Sequence, residues 1–359
     1  MNTTAKLLSR AACIAALALA PAPLALAQEE SEFPPTSAAI VKAAPDSAWQ
    51  EIPAEDLLVM TLAPDSSGNP RRVVIQLIDA PISEKWVANI RTMARAHWWD
   101  GLSIYRSVDN WVVQWGDGEE DEGDRTRPAR PLPDGIVPTA EEDYTIAWQP
   151  GLTGTLWGAD GRRAAEAAVN PRQDKMAAKG PDFSDPYAEA FGYLRGLPIA
   201  AELQNHVVTD GTGMSNRPAK VWPVHCYASV GVARDLSPDA GTGAELYAVI
   251  GHAPRALDRN IAVVGKVIDG IEHMSILPRG TAAFGVYETE AEHTPIISVR
   301  LASELPDTER PRFRFLDTES ESFAAYADRT ANRYDPFYRV PAGGADVCNV
   351  RVPLREIED

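Results

Sequence analysis

The sequence predicts a mainly β fold, a closed antiparallel barrel with a few added helices. Three observations carry this: many short runs of β-branched and aromatic residues, only two or three segments with a helical period, and frequent Gly, Pro, Asp and Asn turn signals between them.

The chain opens with Lys6 and Arg10 ahead of an apolar run, Ala11 to Leu26, that ends in the small–x–small site Ala25-Leu26-Ala27. This predicts a secretory signal peptide over residues 1–27, cleaved near Ala27 after Sec export, which places the mature chain in the periplasm or outside the cell. Pro21 and Pro23 interrupt the run, and it falls short of the roughly 20 apolar residues that a membrane span needs. Residues 28–70, rich in Pro, Ala, Ser and acids up to Ser67, read as a loosely ordered approach. Strand period begins at Arg72, where Val73, Ile75 and Leu77 alternate with Val74, Gln76 and Ile78. Ala80-Pro81-Ile82-Ser83 opens a helix that puts Trp86, Val87, Ile90, Met93, Ala94 and His97 on one face. Asp100-Gly101 turns into a strand pair, Leu102–Val108 and Trp111–Trp115, broken at Asp109-Asn110.

From Gly116 to Pro138 the composition changes to an acidic, Pro-rich loop. Its run Asp117 to Glu122 has oxygen ligands suited to calcium, but the spacing matches no EF-hand loop, and no metal is expected. A short strand is predicted at Tyr144–Trp148, then Ala-rich helix pieces and turns from Gly151 to Arg217. Strands return at His225–Arg234, Ala244–Gly251 and Ile261–Ile268, followed by a short helix from Gly270 to Leu277. The tail adds a strand at Ile296–Leu301, a helix at Ser322–Arg333 and a last strand at Val347–Val352.

Charge and cysteine content narrow the partners. Without Lys6 and Arg10 the 34 basic residues fall to 32 against 51 acidic ones, a net of −19. Such a chain repels nucleic-acid phosphates and anionic membrane surfaces, and no later stretch is apolar enough for stable membrane insertion. Cys13 leaves with the leader, so Cys226 and Cys348 remain as an even pair. In an oxidising compartment this predicts a disulfide, two buried free thiols being the alternative.

Four motifs, in order, resemble the cyclophilins. Strand Val73–Ile78 with Ala80-Pro81 and the helix carrying Trp86, Val87, Asn89 and Ile90 is similar to the family's opening strand and helix. The run Tyr105-Arg106-Ser107-Val108-Asp109-Asn110-Trp111-Val112-Val113-Gln114-Trp115-Gly116-Asp117 resembles its "FHRVI.gFmiQgGD" segment. Gly231 to Arg234 with Gly243 to Tyr247 resembles "sMAn…gSqFfi", and Ala253 to Asp258 with Val264 to Gly270 resembles "ap.LDg…FGkVv.G". His225-Cys226 and the run Ala253 to Asn260 look like an exported proteobacterial subgroup with the same insertion. The resemblance implies a cyclophilin-like domain over residues 71–281, interrupted by an insertion at about 118–221, and a C-terminal extension, 282–359, closing on the barrel.

It also implies peptidyl-prolyl cis–trans isomerase activity on proline-containing polypeptides, with no cofactor. An X–Pro bond turns over a barrier of about 18–20 kcal/mol because amide resonance must be broken. A twisted amide has lost that resonance dipole and gained a nitrogen lone pair, so an apolar pocket and a fixed cationic donor favour it selectively. Arg106 matches the catalytic arginine, and Gln114 the glutamine that bonds the substrate backbone. Trp111, Val112, Tyr247, Leu257, Ala233 and Ile261 match positions around the proline pocket. Arg234 and Glu245 stand there too, where asparagine and glutamine are usual, and Glu245 is expected to pair with Arg106 or Arg234. Trp115 replaces a glycine and is expected to narrow the groove. These departures keep a second reading open, a catalytically weak peptide-binding chaperone or scaffold module. No G-x-S-x-G, H-E-x-x-H or clustered Cys/His spacing points to a hydrolase or metalloenzyme.

Overall fold

The computed structural model describes residues 34–79, 81–118, 128–149, 152, 156–158, 187–207, 214–333, 337–340 and 344–357. The predicted leader, the acidic run beyond Gly118 and the Ala-rich stretch from Ala164 to Ala178 lie outside the described residues.

The described strands in chain order are β1 (Trp49–Glu51), β2 (Leu57–Leu62), β3 (Arg71–Leu77), β4 (Ser103–Ser107), β5 (Val112–Gly116), β6 (Ile146–Ala147), β7 (Leu156–Gly158), β8 (Ala190–Leu194), β9 (Leu197–Val207), β10 (Met214–Pro223), β11 (Ser229–Val232), β12 (Leu246–Val249), β13 (Val263–Asp269), β14 (Thr294–Leu301), β15 (Phe313–Leu316) and β16 (Leu354–Glu356). Eight of them close an antiparallel barrel in the order β11-β12-β5-β4-β14-β2-β3-β13, with β13 pairing back to β11. Closure leaves no unpaired edge along the barrel wall.

The barrel begins earlier and ends later than the sequence pattern suggests. β2 lies in the segment read as a loosely ordered approach, and β14, in the predicted extension, fills the place between β4 and β2. The reason β2 escapes a period-2 reading is that both its faces are buried. Leu58, Met60 and Leu62 enter the barrel core, while Leu57 and Val59 join a second cluster with Trp49, Trp222, Phe313, Phe315 and Phe323. A strand covered on both sides carries a continuous apolar run in place of alternation.

Helix α1 (Ser37–Ala43) precedes the barrel, and α2 (Glu84–Arg95) crosses it. α2 buries Trp86, Val87, Ile90, Met93 and Ala94 as its spacing predicts. Two details differ from the pattern. Pro81 sits in a turn before the helix, with Ser83 in the left-handed region, and His97 lies past the helix end with φ +55.

Between Gly151 and Arg217, where helix pieces and turns are expected, the described residues form strands. β8, β9 and β10 form an antiparallel meander flanked by β6 and β7, in the order β6-β10-β9-β8-β7. The two-residue turn Arg195-Gly196, with φ of +45 and +85, joins β8 to β9. Both residues at positive φ match a turn whose twist suits a hairpin. Gln76 Nε2 donates to the Arg195 carbonyl at 3.0 Å, tying that turn to β3.

The tail forms a small sheet, β1-β15-β16, over the second cluster, and helix Glu321–Ala331 packs Phe323 into it. Ser320 caps this helix by accepting from Phe323 N at 3.1 Å. The strand expected at Val347–Val352 is instead a short 3-10 turn, Val347–Asn349, capped by Asp346, and the strand comes later as β16. Cys226 and Cys348 form a disulfide across 122 residues, joining the loop before β11 to that turn. Among the described residues no helix is long and apolar enough to cross a membrane.

The bridge closes a long loop, and removing a native disulfide typically costs about 2–4 kcal/mol. Cys226→Ser/Cys348→Ser is expected to unfold at a markedly lower temperature than the parent, and reduction of the parent to lower its Tm likewise. Equal melting temperatures would show that the tail docks without the bridge.

Candidate active site

β4 and β5 set Arg106 opposite Gln114 in the barrel wall, with a register shift between Ile104 and Arg106. Such a bulge re-aims the side chains beside it, and here it lets consecutive residues, Tyr105 and Arg106, both reach Gln114. Arg106 NH1 donates to Gln114 Oε1 at 2.8 Å, and its Nε donates to the Phe284 carbonyl at 2.8 Å. The guanidinium lies 5.2 Å from the centre of the Trp111 ring. Gln114, fully buried, donates through Nε2 to the Tyr105 hydroxyl, which donates in turn to Glu245 Oε2 at 2.9 Å.

Glu245 therefore reaches Arg106 through two intermediaries. The expected direct pair with Arg106 or Arg234 is replaced by bonds from the Tyr105 hydroxyl and from Asp117 N, the latter at 2.5 Å. Gly116 makes room for this. Its φ is +150, and a Cβ there would collide with the Glu245 carboxylate. Arg234 turns elsewhere: it donates to the carbonyls of Asn260 and Asp235, and stands 3.9 Å from Glu141. Trp115 does not narrow the groove. Alternation along β5 sends it, with Val113, into the barrel core.

Beside Arg106 lies an apolar cluster separate from both cores. Val112, Tyr247 and Val249 form its buried part, and Trp111, Ala233, Leu257 and Ile261 pack on it while partly exposed. Six of the eight residues expected around the proline pocket meet here, and Arg234 and Glu245 lie outside the cluster. Val249 was not among the eight, although its spacing of two from Tyr247 on β12 puts both on one face.

The surroundings hold the cluster in place. α2 and the turn after it grip the loop before β12: Trp86 Nε1 donates to the Ala240 and Gly241 carbonyls, Asn89 Nδ2 to the Thr242 carbonyl, and Trp99 Nε1 to the Ala244 carbonyl. On the other side, segment Leu277–Tyr287 lies along β4. Gly280 N donates to the Ser107 carbonyl and Tyr287 N to the Tyr105 carbonyl, and Arg279 pairs with Asp109 at 3.1 Å. Phe284, whose carbonyl receives Arg106, has φ +57 and an exposed ring. A cavity of about 370 Å³ lined by Glu51, Asp56, Gln76, Asp79 and Arg195 shares no residue with this cluster.

A cationic donor fixed at the edge of an open apolar patch is the arrangement that the sequence resemblance implies for X–Pro rotation. The family model for cyclophilin type peptidyl-prolyl cis-trans isomerases matches residues 66–300, about two thirds of the chain. The chain belongs to this family. A solved structure similar to this cyclophilin is a cyclophilin from Hirschia baltica, with TM-score 0.57 and 17% identity over 91% of this chain and 100% of that one. A cyclophilin type isomerase from Cryptosporidium parvum, solved in the presence of the dipeptide Ala-Pro, aligns at TM-score 0.32 and 10% identity over 70% of this chain and 98% of that one. No curated protein matches the sequence.

Replacing Tyr105 by Phe keeps the ring and breaks the link between Gln114 and Glu245. A hydrogen bond of about 0.5–1.5 kcal/mol corresponds to a loss of about 2–10-fold in kcat/KM. That loss should fall mainly on kcat, measured with a short X–Pro peptide. Unchanged kinetics would show that Gln114 holds Arg106 without the link through Tyr105 to Glu245.

Proposed function

We propose that this cyclophilin accelerates X–Pro rotation in exported polypeptides as they fold, with Arg106 as the catalytic donor and the Trp111, Val112, Ala233, Tyr247, Leu257 and Ile261 cluster as the proline pocket. One observation carries the reading. Two edges of the Arg106 guanidinium are fixed by Phe284 and Gln114, and NH2 has no partner among the described residues. A planar cation held this way presents its remaining donors in a set direction.

The proline ring enters the open face of the cluster, against Trp111, Leu257 and Ile261, with Tyr247 and Val112 behind. Carbonyl and nitrogen on the proline side then face the guanidinium. As the amide twists, its nitrogen becomes a hydrogen-bond acceptor and its dipole shrinks. The apolar surface disfavours the planar form, and Arg106 stabilises the twisted one, so both effects act on the barrier. Gln114, buried and engaged with Arg106 and Tyr105, acts on the substrate by orienting the arginine. Export is supported by the Lys6-to-Ala27 leader pattern and by the cysteine pair left in the mature chain.

Arg106→Ala is expected to lower kcat/KM on a proline peptide by about 10²–10³, the loss of one charge-assisted donor made mainly in the transition state. Arg106→Lys should recover little, since a point charge cannot reproduce the planar fork. Tm should stay within a few degrees of the parent. Equal rates for the parent and Arg106→Ala above background would instead favour a peptide-binding module that has lost catalysis.

A further inference from the structure

Behind the proline pocket lies a buried polar chain with no part in the chemistry above. Tyr247 is the pocket's buried aromatic, and its hydroxyl points away from the open face to His225 Nε2, 2.8 Å distant. His225 is completely buried, and its Nδ1 lies 2.9 Å from Asp258 Oδ1. The same carboxylate accepts from the His225 backbone N at 3.0 Å, and its other oxygen accepts from Arg255 Nε at 2.5 Å. The Asp258 carboxylate facing Nδ1 assigns the ring proton to that nitrogen. Nε2 is left as an acceptor, and the Tyr247 hydroxyl is its donor. Burial, and then the nearby Asp258 charge, pushes the phenol's pKa up, so the hydroxyl keeps its proton.

A second feature was needed to seat that hydroxyl. Tyr247 pairs across the barrel wall with Gly231, and a Cβ on Gly231 would overlap Cζ and the hydroxyl of Tyr247. Glycine on β11 and histidine before it together form a slot that fits the phenol's tip.

We propose that His225 is a positioning residue for the isomerase reaction: it takes the Tyr247 hydroxyl out of the proline pocket, so that the pocket meets the substrate with an apolar ring. Without it, a buried hydroxyl either lacks a partner or turns toward the pocket, where it stabilises the planar, polar amide that catalysis must disfavour. Asp258 and Arg255 set the tautomer that makes His225 an acceptor. The proposal rests on the pocket assigned above.

Two substitutions separate the two ring nitrogens. Gln places its terminal amide near the position of Nε2 and can still accept from Tyr247, while Asn places its amide near Nδ1 and serves only Asp258. His225→Asn is expected to lower kcat/KM about 10-fold, the effect of one unmet buried hydroxyl, and His225→Gln less than about 3-fold. In a Tyr247→Phe background, where there is no hydroxyl to seat, His225→Asn should cost less than about 2-fold relative to Tyr247→Phe alone. Folding is checked by near-UV circular dichroism and Tm. An Asn variant that folds only in the Tyr247→Phe background supports the proposal equally. It is overturned if Asn and Gln behave alike, if His225→Asn costs the same in both backgrounds, or if it unfolds in both. A parent enzyme that fails to isomerise, or that matches Arg106→Ala, would refute the assigned pocket and not this coupling.

Discussion

The bond from Arg106 to Gln114 is the constraint on which the site depends. A guanidinium at the rim of an apolar patch would swing into water, where its charge is better solvated, unless the protein replaces that solvent with fixed acceptors. Here the replacements are the Phe284 carbonyl, the Gln114 amide and the face of Trp111. Gln114 is itself anchored on Tyr105, and Tyr105 on Glu245. The carboxylate that ends this chain balances the cation without touching it. A direct ion pair would occupy the donors that the proposed mechanism assigns to the substrate.

This arrangement explains the demands on the barrel around it. Glu245 must lie flat on β5, so Gly116 has no side chain, and the loop before β12 must be immobile, so two tryptophans and an asparagine from α2 and the turn after it hold four of its carbonyls. Trp86, Trp99 and Asn89 are fully buried, which makes those bonds dry and costly to break. Residues of the β6-β10-β9-β8-β7 and β1-β15-β16 sheets join the two larger cores, to both of which β2 and β3 contribute, and none of them belongs to the cluster beside Arg106.

β3, β5 and β12 are buried on both faces, as β2 is, and were legible through the motifs and turn signals beside them. β2 was not, because its apolar run lies within a segment whose Pro, Ala, Ser and acids read as irregular, and the Arg195-Gly196 hairpin was not, because Pro198 and the small residues beside it resemble loop punctuation. Arg106 and the six pocket residues could be found from the order and spacing of motifs along the chain. The polar chains could not. Tyr105 and Glu245 are 140 residues apart, and His225 and Asp258 are 33 apart. Only the register of β4, β5 and β12 and the turn at Arg255–Leu257 bring them together, and nothing in either local segment announces a partner. Glu245 looked like a partner for the nearest arginine for the same reason: sign and proximity in a motif were visible, the bulge at Tyr105 was not.

Under the proposed mechanism, magnitudes make the pocket's apolar character as important as its arginine. Moving X–Pro rotation from the scale of tens of seconds to milliseconds takes about five factors of ten, or ~7 kcal/mol. In the mechanism proposed above, one charge-assisted donor would supply about 2.7–4 kcal/mol of that. The remaining few kcal/mol would fall to the surface that disfavours the planar amide dipole, and one misplaced hydroxyl, at about 1–3 kcal/mol, is of the same size. A tyrosine in that surface is therefore tolerable only if its polar tip has been bonded elsewhere. Both tyrosines at this site meet the condition, Tyr105 through Gln114 and Glu245, Tyr247 through His225. The first hydroxyl braces the glutamine that receives Arg106. The second, in the role proposed for His225, is kept off the substrate's side.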